Sequence, residues 1–448
     1  MNIPDLQYRY QIKRTADSQF FTGRVKNVSI DNNNFISDIC DCQLYIRKDS
    51  TGAYRYDCSN RIKCDRVLDA SQTFSGYVNS NVILCVGMFV VGQALFETGM
   101  ANKIGGVVTR FAKNEKILMV AIMVIVGVMS GFLSNTGTAA VLIPVVCGIA
   151  DESGYSRSRL LMPLVFAAAL GGNLSIIGAP GNLMGVDALQ NLGEETGFFM
   201  YAPIGIPMLL AGIVYFVFIG YRLLPKTSAK SVAEVAETKP DFSHVPKWKQ
   251  ITSLVVLIAV ILAMIFEKQI GIPIQVSACI GACVVVLTGV ISGSAALKSI
   301  DLKVVLLFGG SLALANALDT SGAGTMIADT IVGFLGKNPS PMMLLFVIFV
   351  VSCVLTNFMS NTATTALMVP IAVSMSDILG ADPRAVVIAT VIAASCAYAT
   401  PIGMPANTMV VGLGGYSFKD YVKSGLPLIL VSFALCMILL PILFPFYH

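Results

Sequence analysis

The sequence predicts an all-α polytopic membrane protein made of two inverted repeats, each with a re-entrant helical hairpin and a broken transmembrane helix. Three observations lead there. Of 448 residues, 55% are hydrophobic and 12% charged, and apolar stretches long enough to cross a hydrocarbon layer of about 30 Å recur from about Val78 to Tyr447. A short neutral polar patch interrupts two of these runs: Ser-Asn-Thr-Gly-Thr-Ala-Ala-Val-Leu-Ile-Pro from Ser134 to Pro144, and Ser-Asn-Thr-Ala-Thr-Thr-Ala-Leu-Met-Val-Pro from Ser360 to Pro370. The flanks of the two patches match as well, so the chain is an internal duplication.

Residues 1–66 do not fit this pattern. They are rich in Asp, Asn, Arg, Lys and Tyr and contain neither a span-length apolar run nor the apolar core of a signal peptide. Cys40, Cys42, Cys58 and Cys64 cluster there, but C-x-C followed by C-x5-C is not a standard structural zinc spacing. Cys85, Cys147, Cys279, Cys283, Cys353, Cys396 and Cys436 lie in apolar segments, as small packing residues.

The first repeat covers residues 67–224 and the second 251–448, joined by a linker at 225–250. Phe89–Gly99 answers Gly310–Gly322, and Gly171–Asn182 answers Cys396–Asn407. The matched parts run from Val67 to about Asp187 and from Val290 to about Leu413; two apolar helices, about Ile251–Phe266 and Ile272–Ile291, precede the second matched part, and the polar segment stands in their place before the first. The expectation is that residues 1–66 are not the ancestral start, with an out-of-frame or rearranged gene start as the cause.

Within each repeat the arms around the patch form a hairpin, at about 117–150 and 342–376. The shorter arms, from Gly137 and Ala363 onward, reach only about 20 Å at 1.5 Å per residue, which favours a tip that stops inside the membrane. Two full spans joined by a tight turn is the competing reading. The following helices, about 158–185 and 383–412, are interrupted by Gly, Pro and Asn. Such breaks persist at membrane depth where the freed backbone lines a cavity, and paired breaks in two repeats point to a transporter's binding site.

Charge orients the chain. Arg110, Lys113, Lys116, Arg157 and Arg159 flank the first hairpin, Arg222 leads into the linker, and Lys226, Lys230, Lys239, Lys247 and Lys249 lie within it. Asp187, Glu194 and Glu195 mark the opposite side, in the stretch after the first broken helix. The positive-inside rule puts the first hairpin and the linker in the cytoplasm, so the second hairpin enters from outside and the repeats are inverted.

Asn, Ser and Thr at the tips offer donors for an oxyanion and oxygens for a small hard cation. A helix that starts just after Ser-Asn-Thr turns unpaired N–H groups toward the tip, which favours an anion, and carbonyls freed in the broken helices suit Na⁺. Ser130 precedes Asn135 by five residues, and Thr356 precedes Asn361 by five, giving each repeat a similar oxygen-rich pocket. No Asp, Glu or His lies in either tip or in the two interruptions, so the negative charge is best supplied by the substrate. Proton-coupled anion or organic-acid antiport on the same scaffold is the alternative. With His244 in a loop, His448 at the end, and no hydrolase or phosphate-loop motif, the residues do not assemble an enzyme. Lys and Arg sit mostly in loops and form no nucleic-acid surface.

Over residues 67–448 these features resemble the divalent anion:sodium symporter family, the solute carrier family 13 type of permease. The most specific elements are Ser134-Asn135-Thr136, Ser360-Asn361-Thr362 and Ala399-Thr400-Pro401. The resemblance implies a homodimer in a bacterial-type inner membrane, with a scaffold and a mobile transport domain working as an elevator. It implies substrate contacts from Asn135, Thr136, Asn361, Thr362, Thr400 and Pro401. It implies one sodium near Ser130, Ser134 and Asn135, and a second near Thr356, Ser360, Asn361 and the backbone of Ala399. The chain departs from the family where the first broken helix commonly carries Thr-Pro: here Ser175-Ile176 keeps the hydroxyl, as a further substrate contact, and adds bulk. A dicarboxylate and a sulfate-like oxyanion both stay open. No bound cofactor beyond the coupling ion is expected.

Overall fold

The structure, a computed structural model, describes residues 68–106, 114–225, 242, 244–323, 326, 330, 333 and 340–447. The segment 1–66 with its four cysteines, Arg110, Lys113, linker residues Lys226, Lys230 and Lys239, and His448 lie outside the described residues.

The described residues with regular structure are helical. In order they form α1 (Ala70–Ser75), α2 (Ser80–Glu97), α3 (Met100–Gly106), α4 (Glu115–Ser130), α5 (Asn135–Ser153), α6 (Arg157–Gly171), α7 (Pro180–Asn191), α8 (Ala202–Tyr215), α9 (Lys247–Ile265) and α10 (Ile274–Leu287). There follow α11 (Gly293–Ser299), α12 (Leu302–Ser321), α13 (Pro341–Thr356), α14 (Asn361–Ile378), α15 (Pro383–Ser395), α16 (Pro405–Gly414) and α17 (Phe418–Leu443), with shorter turns between them. Among the described residues five helical stretches are long and apolar enough to cross a membrane, or six when the pair α11–α12, bent by 50°, is counted as one span. The chain is a multi-pass membrane protein.

Local chemistry fixes the hairpins. Ser134 ends one extended turn and caps α5 by accepting the N–H of Gly137 (3.1 Å); Ser360 caps α14 by accepting that of Ala363 (3.2 Å). Because the caps start the helices at the Asn of each patch, the arms are longer than the sequence implies. α5 has 19 residues and runs through Asp151 to a left-handed Gly154 (φ 70°). That is span length, so arm length gives no reason for the first tip to stop short. α4 and α13 have 16 residues each, about 24 Å at the standard rise.

Both broken helices are real. α6 ends in a 3₁₀ turn, Gly172–Leu174, and a stretch of turns and bends leads to α7 at Pro180; α15 ends at Ser395 and α16 resumes at Pro405. α7 runs on to Asn191, so Asp187, read from the sequence as part of a loop, lies inside a helix and is buried.

α6 and α15 are the innermost helices: every residue of Leu160–Gly171 and of Ala385–Ser395 is buried. A helix apolar all round sits at the centre of a bundle. α4 and α5 pack on α6, and α13 and α14 pack on α15. The second halves of the broken helices then cross over: α7 packs on α14 and α15, α16 on α5 and α6. α8 and α17 pack on each other and complete this tip bundle. A separate layer is built on α2, which packs chiefly on α10 with α9 behind it, where a side chain at Gly87 would run into Ala278 at 2.8 Å. One polar insertion ties the halves of the bundle together. Tyr416 Oη accepts the N–H of Met162 (2.8 Å) and donates to Ser158 O (2.5 Å), entering the hydrogen-bond ladder of α6 just before Pro163.

Candidate functional site

Each hairpin turn leans on its own broken helix through the same bonds. Ser130, the last residue of α4, puts its hydroxyl 2.7 Å from Ala168 O and 2.7 Å from the Asn135 amide; Thr356, the last of α13, meets Ala394 O and lies 2.9 Å from Asn361 Oδ1. The carbonyl that follows each of these residues also accepts a hydroxyl from the break: Ser175 donates to Gly131 O, and Thr400 to Asn357 O at 2.5 Å. Across the breaks, Asn182 Nδ2 donates to Gly172 O (2.7 Å) and Ser175 O (2.7 Å), while Asn407 Nδ2 donates to Ala397 O (2.7 Å) and Thr400 O (3.1 Å). Behind them Tyr201 Oη donates to Asn182 O (2.9 Å) and Tyr421 Oη to Asn407 O (2.7 Å). Two stretches of different sequence thus fold into one bonding scheme.

The amide of Asn135 is the chemical centre of the first tip. One of its ends lies 2.7 Å from Ser130 Oγ, 3.2 Å from Ala168 O and 3.1 Å from Gly178 O. The single hydroxyl proton of Ser130 goes to Ala168 O, which can only accept. With Nδ2 at that end, the amide's two protons are shared among the three oxygens. With Oδ1 there, four oxygens converge with one proton among them, and a small hard cation completes the set. Of the two orientations, Nδ2 inward is the one in which the protein alone satisfies the cluster. The four oxygens are neutral, and among the described residues no group of three or more His, Cys, Asp or Glu is placed to hold a metal ion.

Asn135, Thr136, Asn361 and Thr362 open α5 and α14 and are half-buried, with helix N-termini beside them. Ser175 and Thr400 are buried and their protons are committed to the hairpin carbonyls, while their oxygens accept Ile177 N (3.2 Å) and Gly403 N (3.1 Å). These two brace the turns. Pro401 is half-buried. Ile176, at the corresponding place, is buried and donates its N–H to Phe198 O (3.1 Å), a bond that a proline could not make. The N–H of Ala399 goes to Asn357 Oδ1 (2.9 Å), and Asn357 Nδ2 donates to Cys353 O (2.8 Å). Asn357 has no counterpart in the first repeat, where Gly131 stands. A small, mostly apolar cavity of about 30 Å³ adjoins the first tip, between Cys85, Met88 and Phe89 of α2 and Ser134, Gly178 and Pro180.

Sequence reasoning missed Asn357, the bracing asparagines Asn182 and Asn407, and the tyrosines behind them. The two asparagines were visible as the matching last residues of the aligned interruptions. The tyrosines come from segments outside that alignment, and nothing local marks them.

Among curated proteins the chain is similar to the uncharacterized transporter YfbS of Escherichia coli, at 24% identity over 85% of this chain and 93% of that one. It is similar to the uncharacterized transporter MJ0672 of Methanocaldococcus jannaschii, at 29% over 68% and 69%. It is also similar to the sodium-dependent dicarboxylate transporter SdcS of Staphylococcus saprophyticus, at 24% over 85% and 79%. In fold it resembles the YdaH transporter of Alcanivorax borkumensis, with a TM-score of 0.61 at 16% identity over 84% of this chain and 88% of that one. MtrF of Neisseria gonorrhoeae follows, at 0.57 and 16% over 88% and 86%. The family model described as citrate transporter matches residues 66–268 and 261–447. With nearly all of the helical chain covered by it, the protein belongs to the citrate transporter (CitMHS) family and is a secondary transporter, not an enzyme.

Proposed function

We propose that this transporter is a sodium-coupled symporter of a small divalent anion, a dicarboxylate or a sulfate-like oxyanion. The observation that carries the reading is the Asn135 amide among Ser130 Oγ, Ala168 O and Gly178 O. A sodium ion in that cluster turns Oδ1 inward and leaves Nδ2 as a donor for the anion beside it. Thr356, Asn361 and Ala394 O form the corresponding second position. The anion lies between the N-termini of α5 and α14, where Thr136 and Thr362 add hydroxyls. Each cation supports the anion electrostatically, so neither binds well alone. The name of the staphylococcal relative, a sodium-dependent dicarboxylate transporter, agrees with this reading.

Transport then follows alternating access: the tip bundle moves as a body against the layer built on α2, as in an elevator, with two copies of the chain supplying a fixed frame. The test is uptake into proteoliposomes with sodium replaced by choline at fixed pH, citrate and C4-dicarboxylates first and sulfate next. Sodium-dependent uptake that Asn135→Ala and Asn361→Ala each abolish is the expected result. Uptake that persists in choline under a proton gradient overturns sodium coupling.

One observation favours a second reading, proton-coupled transport. Asp187 is a buried carboxylate on α7, the helix that leaves the first break. Persistence of uptake in choline together with its loss in Asp187→Asn selects that reading.

A further inference from the structure

We propose that Asn182 and Asn407 are positioning residues for the cation sites, each acting as a staple that closes its helix break and aims the freed backbone at the tip. The inference rests on sodium coupling. Breaking a helix at membrane depth strands carbonyls that water cannot reach. In the first break one side-chain nitrogen satisfies two of them, 10 and 7 residues upstream: Gly172 O and Ser175 O. In the second the same nitrogen serves Ala397 O and Thr400 O, again 10 and 7 residues back. Both asparagines are fully buried.

What the staple holds is the site itself. Gly172 lies so close to Asn135 that a Cβ on it would sit 2.6 Å from the amide, and a Cβ on Gly178 would sit 2.3 Å from Gly172 O. Clamping Gly172 O therefore fixes where Gly178 O stands, 3.1 Å from the Asn135 amide. Thr400, whose carbonyl is clamped in the second break, also donates its hydroxyl to the hairpin at Asn357 O.

Packing alone does not account for these asparagines. In each copy Oδ1 is buried and has no partner among the described residues, a cost that leucine of similar shape would avoid. The same unsatisfied acceptor is kept in both repeats, so the position is held for its two N–H donors. Tyr201 and Tyr421, bonded to the carbonyls of these residues, set the staples from behind.

The experiment reads sodium binding apart from folding. Wild-type protein, Asn182→Leu, Asn407→Leu and Tyr201→Phe are purified in detergent, and the sodium half-saturation is taken from the melting temperature against sodium concentration, with choline holding ionic strength constant. Leu164→Ala, equally buried on α6, is the packing control: it lowers the melting temperature and leaves the half-saturation unchanged. Each Asn→Leu variant is expected to raise the half-saturation about tenfold or more, the loss of two buried bonds. Tyr201→Phe raises it by about threefold and keeps the inference testable where Asn182→Leu does not fold. Half-saturations in all three variants equal to wild type overturn the staple. A wild type that does not respond to sodium removes the coupling reading itself.

Discussion

Asn79 Nδ2 lies 2.6 Å from Asp187 Oδ1, joining the N-cap of α2 to the broken helix α7 of the tip bundle. Asn81 adds a bond to the same oxygen (3.2 Å), and Asn191 bonds Oδ2 (3.1 Å). Asp187 is the one charged residue that is buried among the described residues, and it sits at the N-terminus of α2, where the helix dipole favours an anion. Asp187→Ala leaves these amides without their acceptor and is expected to cost about 1–3 kcal/mol, read as a lower melting temperature in detergent. Asp187→Asn keeps one acceptor oxygen and should fall between the two. A neutral Asp187→Ala means that the network does not hold α2 to the bundle.

Gly172→Ala is expected to abolish uptake while the protein still inserts. Its Cβ would stand 2.6 Å from Asn135 Oδ1, a side chain that can swing away from the break at the expense of the site. The outcomes are read as uptake and membrane-fraction abundance of the same preparation.

Gly205→Ala and Gly425→Ala act differently. Their Cβ atoms would stand 2.0 Å from Asn173 O and 2.1 Å from Tyr398 O, backbone atoms that cannot step aside. Both substitutions should destabilise the fold by about 1–3 kcal/mol or more through overpacking, visible as lower melting temperatures with and without sodium.

Ser130→Ala and Thr356→Val each remove one oxygen from a proposed cation position and the bond to the carbonyl behind it. Each should raise the sodium half-saturation for uptake by about fivefold or more, with the maximal rate recovered at high sodium. A fall in rate that sodium does not restore would place these hydroxyls in folding alone.

At the other end of the first hairpin, Tyr221 Oη donates to Glu115 Oε2 (2.6 Å) and accepts from Arg159 Nη1 (2.8 Å), with the guanidinium 4.3 Å from the ring centroid. Arg159→Lys loses the planar stack and the fork, and should lower stability by about 1 kcal/mol, measured by thermal unfolding. Uptake per folded molecule should not change, since Glu115 starts α4 at the end opposite Ser130.

Much of the site was legible because duplication repeats it. Asn135 and Asn361 stand at matched places in matched apolar runs, and the spacing from Ser130 and Thr356 proved to be the spacing of real bonds. Asp187 was misread because a charged residue near Gly and Glu looks like a loop, and only amides arriving from α2 make its burial tolerable. The family resemblance implied a substrate contact at Thr400, with the Ser175 hydroxyl as its counterpart, and in the structure both hydroxyls turn to hairpin carbonyls. Which way a hydroxyl turns depends on the nearest carbonyl, and those carbonyls belong to another helix.

The sequence by itself determined the all-helical membrane class, the two breaks and the neutral chemistry of the tips, because composition, periodicity and helix-breaking residues act over a few neighbouring positions. The tertiary structure alone decided that α7 and α16 exchange partners across the bundle, that Tyr201 and Tyr421 stand behind the breaks, and that Gly178 O faces Asn135. Those outcomes depend on which buried polar groups can find partners from distant segments, and no local pattern carries that information.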